Sequence, residues 1–214
     1  MRVCDHVQCD GFPCRDLHHE PYWMPGLDED PAAVLVILVS ETAAQDPADG
    51  YEAPGDPLFA RTTVEAFRDA GFAVSTLSDL RHQGVHLTTA VKCAKAGYTI
   101  DPTSVRTCSE LLERELALFP HARALLLMGD VAIRALNEIA RRNCEPRVVP
   151  AGATYRIRSA AHRFRDLRVF PSYLQAGPSF YIEKQKRRMI AEDIAAAMRH
   201  AGIAPAPGLP AGTP

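Results

Sequence analysis

The sequence predicts a three-layer α/β/α sandwich around a mainly parallel central sheet. Short, continuous apolar runs such as Val34-Leu-Val-Ile-Leu-Val39 read as strands buried on both faces, the signature of a parallel sheet covered by helices. Those runs alternate with amphipathic helical segments, which is the βα order of such domains. The chain has 214 residues and 47% apolar composition, enough for one sizeable core.

Residues 1–33 form an irregular lead carrying cysteines, histidines and Pro-Gly punctuation. The strand at Val34–Val39 follows, then a polar loop rich in Asp, Pro and Gly from Glu41 to Pro57. An amphipathic helix is expected from Leu58 to Ala70, stopped by Gly71. Val85–Cys93 reads as a strand and Ala94–Pro102 as a loop. Thr103 or Ser104 can cap a helix reaching Phe119, with Glu110 and Glu113 near its start. Arg123–Met128 is a second buried-type strand, and Gly129-Asp130 turns into a helix ending near Arg142, with Asp130 as its cap. Arg147–Val149, Thr154–Arg158 and Leu167–Phe170 are expected as short strands. A loop, Pro171–Pro178, leads into a long terminal helix. The domain is expected to span residues 1–202, and the Ala/Pro/Gly-rich residues 203–214 to be disordered.

No stretch approaches 18 continuous apolar residues, so no membrane span is expected. The N-terminus has no apolar run of the signal-peptide kind, which points to a cytoplasmic protein. Six cysteines then suit metal ligation or free thiols better than a disulfide framework. The net charge of −2 does not advertise a nucleic-acid binder. Charge is nevertheless uneven: Lys184, Lys186, Arg187 and Arg188 cluster, as do Arg156, Arg158, Arg163, Arg165 and Arg168. Such faces can contact phosphates, and they equally suit solvated helix and hairpin surfaces.

Cys9 and Cys14 lie in the lead, Cys93 at a strand end and Cys108 in the first turns of a helix. Four thiolates from separate elements suit an iron–sulfur cluster or a structural zinc. Cys4 is an alternative to Cys9 or Cys14, and Cys144 reads as a free thiol. His18 and His19 read as surface residues. In an open α/β sheet, ligands bind beyond the carboxyl ends of the strands. Ser40-Glu41-Thr42, Lys92-Cys93 and Phe170-Pro171-Ser172-Tyr173-Leu174 would share that rim.

At those positions the chain resembles the uracil-DNA glycosylase superfamily, most of all its iron–sulfur branch, families 4 and 5. The family's first motif, a strand followed by Gly-Glu-x-Pro-Gly, is matched by Ser40-Glu41-Thr-Ala-Ala44. Its Arg-Pro-Phe element is matched by Asp56-Pro57-Leu58-Phe59, and its Asn-x-Val-Lys-Cys segment by Thr89-Ala-Val-Lys-Cys93. Its next cluster cysteine matches Cys108. Its Leu-Gly-x-x-Ala turn is matched by Leu127-Met-Gly-Asp-Val-Ala132, and its His-Pro-Ser-Tyr-Leu motif by Phe170-Pro-Ser-Tyr-Leu174.

The resemblance implies a DNA glycosylase-like protein that flips a base and hydrolyses its N-glycosidic bond. Cys9, Cys14, Cys93 and Cys108 would hold a structural 4Fe–4S cluster, with zinc as the alternative. Glu41 would assist the sugar and the attacking water. Phe59 would stack on the flipped base, with Tyr51 as its neighbour in that role, and Ser40, Thr89 and Phe170 would line the base pocket. Ser172, Tyr173, Leu174, Lys184 and Arg187 would contact DNA, the partner of a monomeric protein.

Two departures stand out. Thr89 replaces the family's base-reading Asn, and Phe170 replaces its motif His. One hydroxyl does not reproduce a bidentate amide, and Phe donates nothing. The expected target is therefore a damaged or modified base rather than ordinary uracil. The alternatives are a catalytically weak DNA-binding member of the fold and a metal-bearing hydrolase of free nucleosides.

Overall fold

The computed structural model describes residues 1–205. In chain order its strands are β1 (Leu17–His18), β2 (Val36–Thr42), β3 (Val85–Val91), β4 (Ala94–Lys95), β5 (Ala124–Met128), β6 (His162–Phe164) and β7 (Leu167–Ser172). Its α-helices are α1 (Leu58–Asp69), α2 (Leu77–His82), α3 (Pro102–Leu116), α4 (Asp130–Arg142), α5 (Thr154–Ile157), α6 (Ser179–Ile182) and α7 (Lys184–Ala201).

Five strands form the central sheet in the order β3-β2-β5-β7-β6. All neighbours are parallel except the edge pair β6–β7. Because β2 and β5 are apolar on both faces, each face carries its own core. Ile37, Val39, Leu125 and Leu127 pack against α3 and α4. Val36, Leu38, Leu126 and Met128 pack against α1 and α7. The three-layer expectation holds, and it follows from side-chain alternation along doubly covered strands.

The N-terminal segment is tied down rather than loose. β1 pairs antiparallel with β4, setting Leu17 against Lys95 and His18 against Ala94. A buried charge chain fixes it further. Lys92, fully buried, donates to Thr88 Oγ1 (2.6 Å), the Thr89 carbonyl (2.7 Å) and Glu115 Oε2 (2.5 Å). Glu115 Oε1 lies 3.1 Å from His86 Nε2, whose Nδ1 lies 2.7 Å from Glu29. Arg81 then bridges Glu29 and Glu52. Burial disfavours a charged His86 ring, yet the flanking carboxylates of Glu115 and Glu29 raise its pKa.

Several sequence expectations are corrected. Arg147–Val149 is not a strand, because Asn137 Oδ1 accepts from the Val148 and Val149 N–H groups at 3.0 and 3.1 Å, in place of a sheet neighbour. Thr154–Ile157 is one helical turn. The strand before Cys93 ends at Val91. Helix α2, closed by a Thr76–Asp79 capping box, and strand β6 lie outside the sequence expectation. The domain boundary also moves: Ile203 packs on the α1/α7 side, and its N–H donates to the Met198 carbonyl at 2.9 Å. The rest of the expected tail, 206–214, lies outside the described residues.

Candidate active site at the strand ends

Glu41 leaves the carboxyl end of β2 and reaches the N-terminus of α4, where its Oε1 accepts from the Val131 N–H at 3.2 Å. The local sequence makes this possible. Gly129 adopts φ +101° and ψ 170°, a conformation open essentially to glycine, and any Cβ there would collide with the Glu41 carboxylate. Burial pushes the Glu41 pKa up, and the Val131 N–H only partly opposes it. One carboxylate oxygen is thus anchored on a helix end. The group looks into a cavity of about 240 Å³ between β2, β5, β7 and α7.

The far wall of that cavity is the turn after β7. Ser172 is buried and donates to Asp193 Oδ2 at 2.6 Å, and Arg158 holds the same carboxylate at 2.8 Å. Tyr173 lies under the Lys186 ammonium, 5.2 Å from the ring centre, and Tyr173 and Leu174 both pack on the α1/α7 core. Arg187 lines the cavity but is paired with Asp69 at 2.5 Å and Glu65 at 3.4 Å. Lys184 is exposed at the start of α7. In the second basic group, Arg158 and Arg165 are held by acidic partners, and Arg168 donates to backbone carbonyls.

The proposed base-pocket residues do not gather around Glu41. Ser40 and Thr89 are register partners on β2 and β3, both fully buried and both with unpartnered hydroxyls. They face the α1/α7 side, opposite Glu41, because adjacent residues of a strand alternate faces. Phe59 packs edge-to-face on Tyr51, with ring centres 5.5 Å apart, and does not line the Glu41 cavity. Phe170 is a core residue within β7, paired with Leu126, under Arg168 and beside His200. It stands short of the strand end, so placing it in the pocket is corrected.

The four cysteines meet on the α3/α4 side. Cys93 and Cys108 are buried, with Cys9 and Cys14 packed against them. Burial pushes Cys93 up to about 12, with Cys108, Cys9 and Cys14 adding to the shift. Burial likewise raises Cys108 to about 11, and Cys14 and Cys9 contribute there too. The four are therefore mutual electrostatic neighbours. Cys4 turns to Asp5 instead, and Cys144 is exposed. His19 Nδ1 lies 3.4 Å from Cys93 Sγ, closer to the cysteines than a surface residue would be. Among the described residues, no group of three or more His, Cys, Asp or Glu side chains is placed to hold a single metal ion.

The model of the uracil DNA glycosylase superfamily matches residues 35–196, most of the chain and every strand of the central sheet. The chain belongs to the uracil-DNA glycosylase superfamily. It is 28% identical over 207 residues to a type-5 uracil-DNA glycosylase of Thermus thermophilus, covering 88% of this chain and 86% of that protein. It also aligns with the crystal structure of a uracil-DNA glycosylase from Nitratifractor salsuginis at 16% identity and a TM-score of 0.34, covering 76% and 73% of the two chains.

For this superfamily member the sequence missed one site feature, Asp193, which holds Ser172 at the cavity wall. Its only signal is an acidic residue on the apolar face of α7. Among the described residues, no helix is long and apolar enough to cross a membrane.

Proposed function

We propose that this chain is a DNA N-glycosylase that flips a damaged or modified base from the duplex and hydrolyses its bond to the sugar. The observation that carries the reading is Glu41, a half-buried carboxylate anchored by Val131 at a strand end and facing a cavity. As the C1′–N bond breaks, the electron pair leaves with the base and positive charge grows on the sugar. A carboxylate fixed in advance stabilises that charge without reorganising. Water then adds to C1′; its proton passes to Glu41 and on to solvent, and the departed base is protonated. Anchoring one oxygen on the helix leaves the other free to orient the water.

DNA is the partner this reading requires. Ser172, Tyr173, Leu174, Lys186 and Arg187 border the cavity, and Lys184 is exposed at the start of α7. Lys186 carries the phosphate contact in this reading, with Lys184 adding charge at the edge, and Ser172, buried and bonded to Asp193, shapes the cavity wall. Arg187, committed to Asp69 and Glu65, orders α1 against α7 and contributes less to binding.

A structural 4Fe–4S cluster on Cys9, Cys14, Cys93 and Cys108 belongs to the same proposal. The donor set fits. Cys93, pushed up by burial and by Cys108, Cys9 and Cys14, and Cys108, pushed up by burial and by Cys14 and Cys9, become favourable thiolates only around a cationic centre. Such a cluster braces the N-terminal segment against α3 and supplies no step of the hydrolysis.

The test is a panel of duplexes, each carrying one altered base, with release of an abasic product as readout. Glu41→Gln keeps the size of the side chain and removes the charge. It is expected to lower excision by about 10²–10³-fold while binding an abasic duplex as before. Tight duplex binding with no abasic product from any base would refute the enzymatic reading and leave a DNA-binding module.

A further inference from the structure

Residues 17–23 run antiparallel across the segment that carries Cys93. Leu17 pairs with Lys95 and His18 with Ala94, and the Trp23 N–H donates to the Lys92 carbonyl at 2.8 Å. Carried one residue further, that register sets His19 opposite Cys93. Alternation along the strand turns Leu17 and His19 inward and leaves His18 exposed. His19 Nδ1 accordingly lies 3.4 Å from Cys93 Sγ, within hydrogen-bond reach of a sulfur acceptor. The imidazole is also packed in place. Gly11 and Phe12 take left-handed φ of +69° and +45°. The Phe12 ring centre lies 5.2 Å from that of His19 and 5.1 Å from that of Tyr22. Tyr22 Oη in turn accepts from the Cys9 N–H at 3.2 Å.

The sulfurs are not equally supported. Burial raises the Cys9 pKa, and the Phe12 N–H opposes the rise. Burial raises that of Cys108, and the Lys92 N–H opposes it. Around Cys93, burial and the three neighbouring thiols all act in one direction, and among the described residues no backbone N–H opposes them. Resting on the proposed cluster, we infer that His19 is part of the metal site: its Nδ1–H donates to the Cys93 sulfur and governs how firmly iron is held there. A hydrogen bond stabilises the charged form of the sulfur, which is the form that binds iron. With its proton on Nδ1, a neutral imidazole supplies that bond without adding charge. His19 is a positioning residue, because it touches a ligand and not the iron.

The experiment compares the full, iron-loaded protein with its His19→Leu, His19→Asn and His18→Leu variants. Iron release to a chelator gives the strength of holding. Resonance Raman bands of the iron–sulfur stretches give the state of the sulfur, since a hydrogen bond draws electron density from it and softens the bond to iron. His19→Leu is expected to release iron about 10–10²-fold faster, with stretching bands moved to higher frequency. The Asn amide nitrogen can take the place of Nδ1, so His19→Asn should restore both readouts toward the parent. His18→Leu, on the outward face, should match the parent.

Parent-like release and bands in His19→Leu overturn the inference and leave the cluster standing. Faster release with unmoved bands, or equal damage in His19→Leu and His19→Asn, overturns it too, because packing alone then accounts for His19. If His19→Leu holds no iron at all, iron retained by His19→Asn supports the donor role and iron lost from both refutes it. A parent that binds no iron overturns the cluster and the role of His19 together.

Discussion

Replacing Gly129 by Ala tests the Glu41 site most directly, because two independent strains meet at one missing methyl group. At φ +101° and ψ 170° the backbone lies where a side chain costs about 1–3 kcal/mol. The added Cβ would also press on the Glu41 carboxylate. Overpacking of this kind costs roughly 1–3 kcal/mol unless the neighbour yields. Glu41 is partly exposed and can yield, but only by releasing the Val131 N–H, a bond worth about 1 kcal/mol. The expected loss is about 3 kcal/mol, or roughly 6–12 °C in melting temperature for a protein of this size.

Displacing the carboxylate by about an ångström should cost about 10² in turnover as well. Urea unfolding of Gly129→Ala, Glu41→Ala and the double variant separates the two strains. In the Glu41→Ala background the backbone cost remains and about 1 kcal/mol of the penalty disappears as coupling. Strict additivity, or a Gly129→Ala protein within about 0.5 kcal/mol of the parent, would show that the two residues do not press on one another.

Cys93→Ser and Cys108→Ser should each abolish bound iron, measured by metal analysis and visible absorption, and Cys144→Ser should leave it unchanged. Cys144 itself ends α4 at φ +56°, where the Glu145 N–H closes on the Ala140 carbonyl, so Cys144→Gly should stabilise the protein by about 1 kcal/mol, read as a higher melting temperature. Lys92→Met or Glu115→Leu alone should cost about 3–5 kcal/mol by stranding a buried charge, and the double variant much less, read by urea unfolding. Lys92 holds the Glu115 carboxyl down to about 2 against the cost of burial, and His86 assists; the stability this contributes is full above the unfolded carboxyl pKa of about 4.3 and is lost as pH falls toward 2. His86 has the opposite sign: its raised pKa stabilises the fold below about pH 6.5 and that share fades at higher pH, so urea midpoints should peak between about pH 5 and 6.5.

How much of this was legible in the sequence depended on the range of the interactions involved. The apolar strands β2 and β5, the Gly129 turn and Glu41 were readable because alternation, glycine and a strand-end carboxylate are local signals. Cys93 and Cys108 were marked by type and spacing, and burial puts both in the core with Cys9 and Cys14 packed against it. Long-range partners were not readable. Val148 and Val149 carry strand-like side chains, but Asn137 takes their backbone N–H groups. Phe170 occupied a motif position, yet its register against Leu126 places it inside the core. Part of the apparent basic face vanished for the same reason: Arg158, Arg165 and Arg187 pair with acids distant in sequence.

The end of β2 presents two separate side-chain environments. Residues 40 and 41 are neighbours in sequence but point to opposite faces of the sheet. Ser40 joins Thr89, Tyr51 and Gln175 on the α1 side, whereas Glu41 joins Gly129 and Val131 toward α4. Glu41 and Ser40 therefore share a strand but no side-chain partner. Changes at position 89 or 175 can therefore be made without moving Glu41. The supports of Glu41 can in turn be tested without touching the base. Substitutions without shared partners combine additively, so Gly129→Ala and Gln175→Leu should sum in stability to within about 0.5 kcal/mol. A larger coupling would mean that the two faces communicate through the backbone of β2.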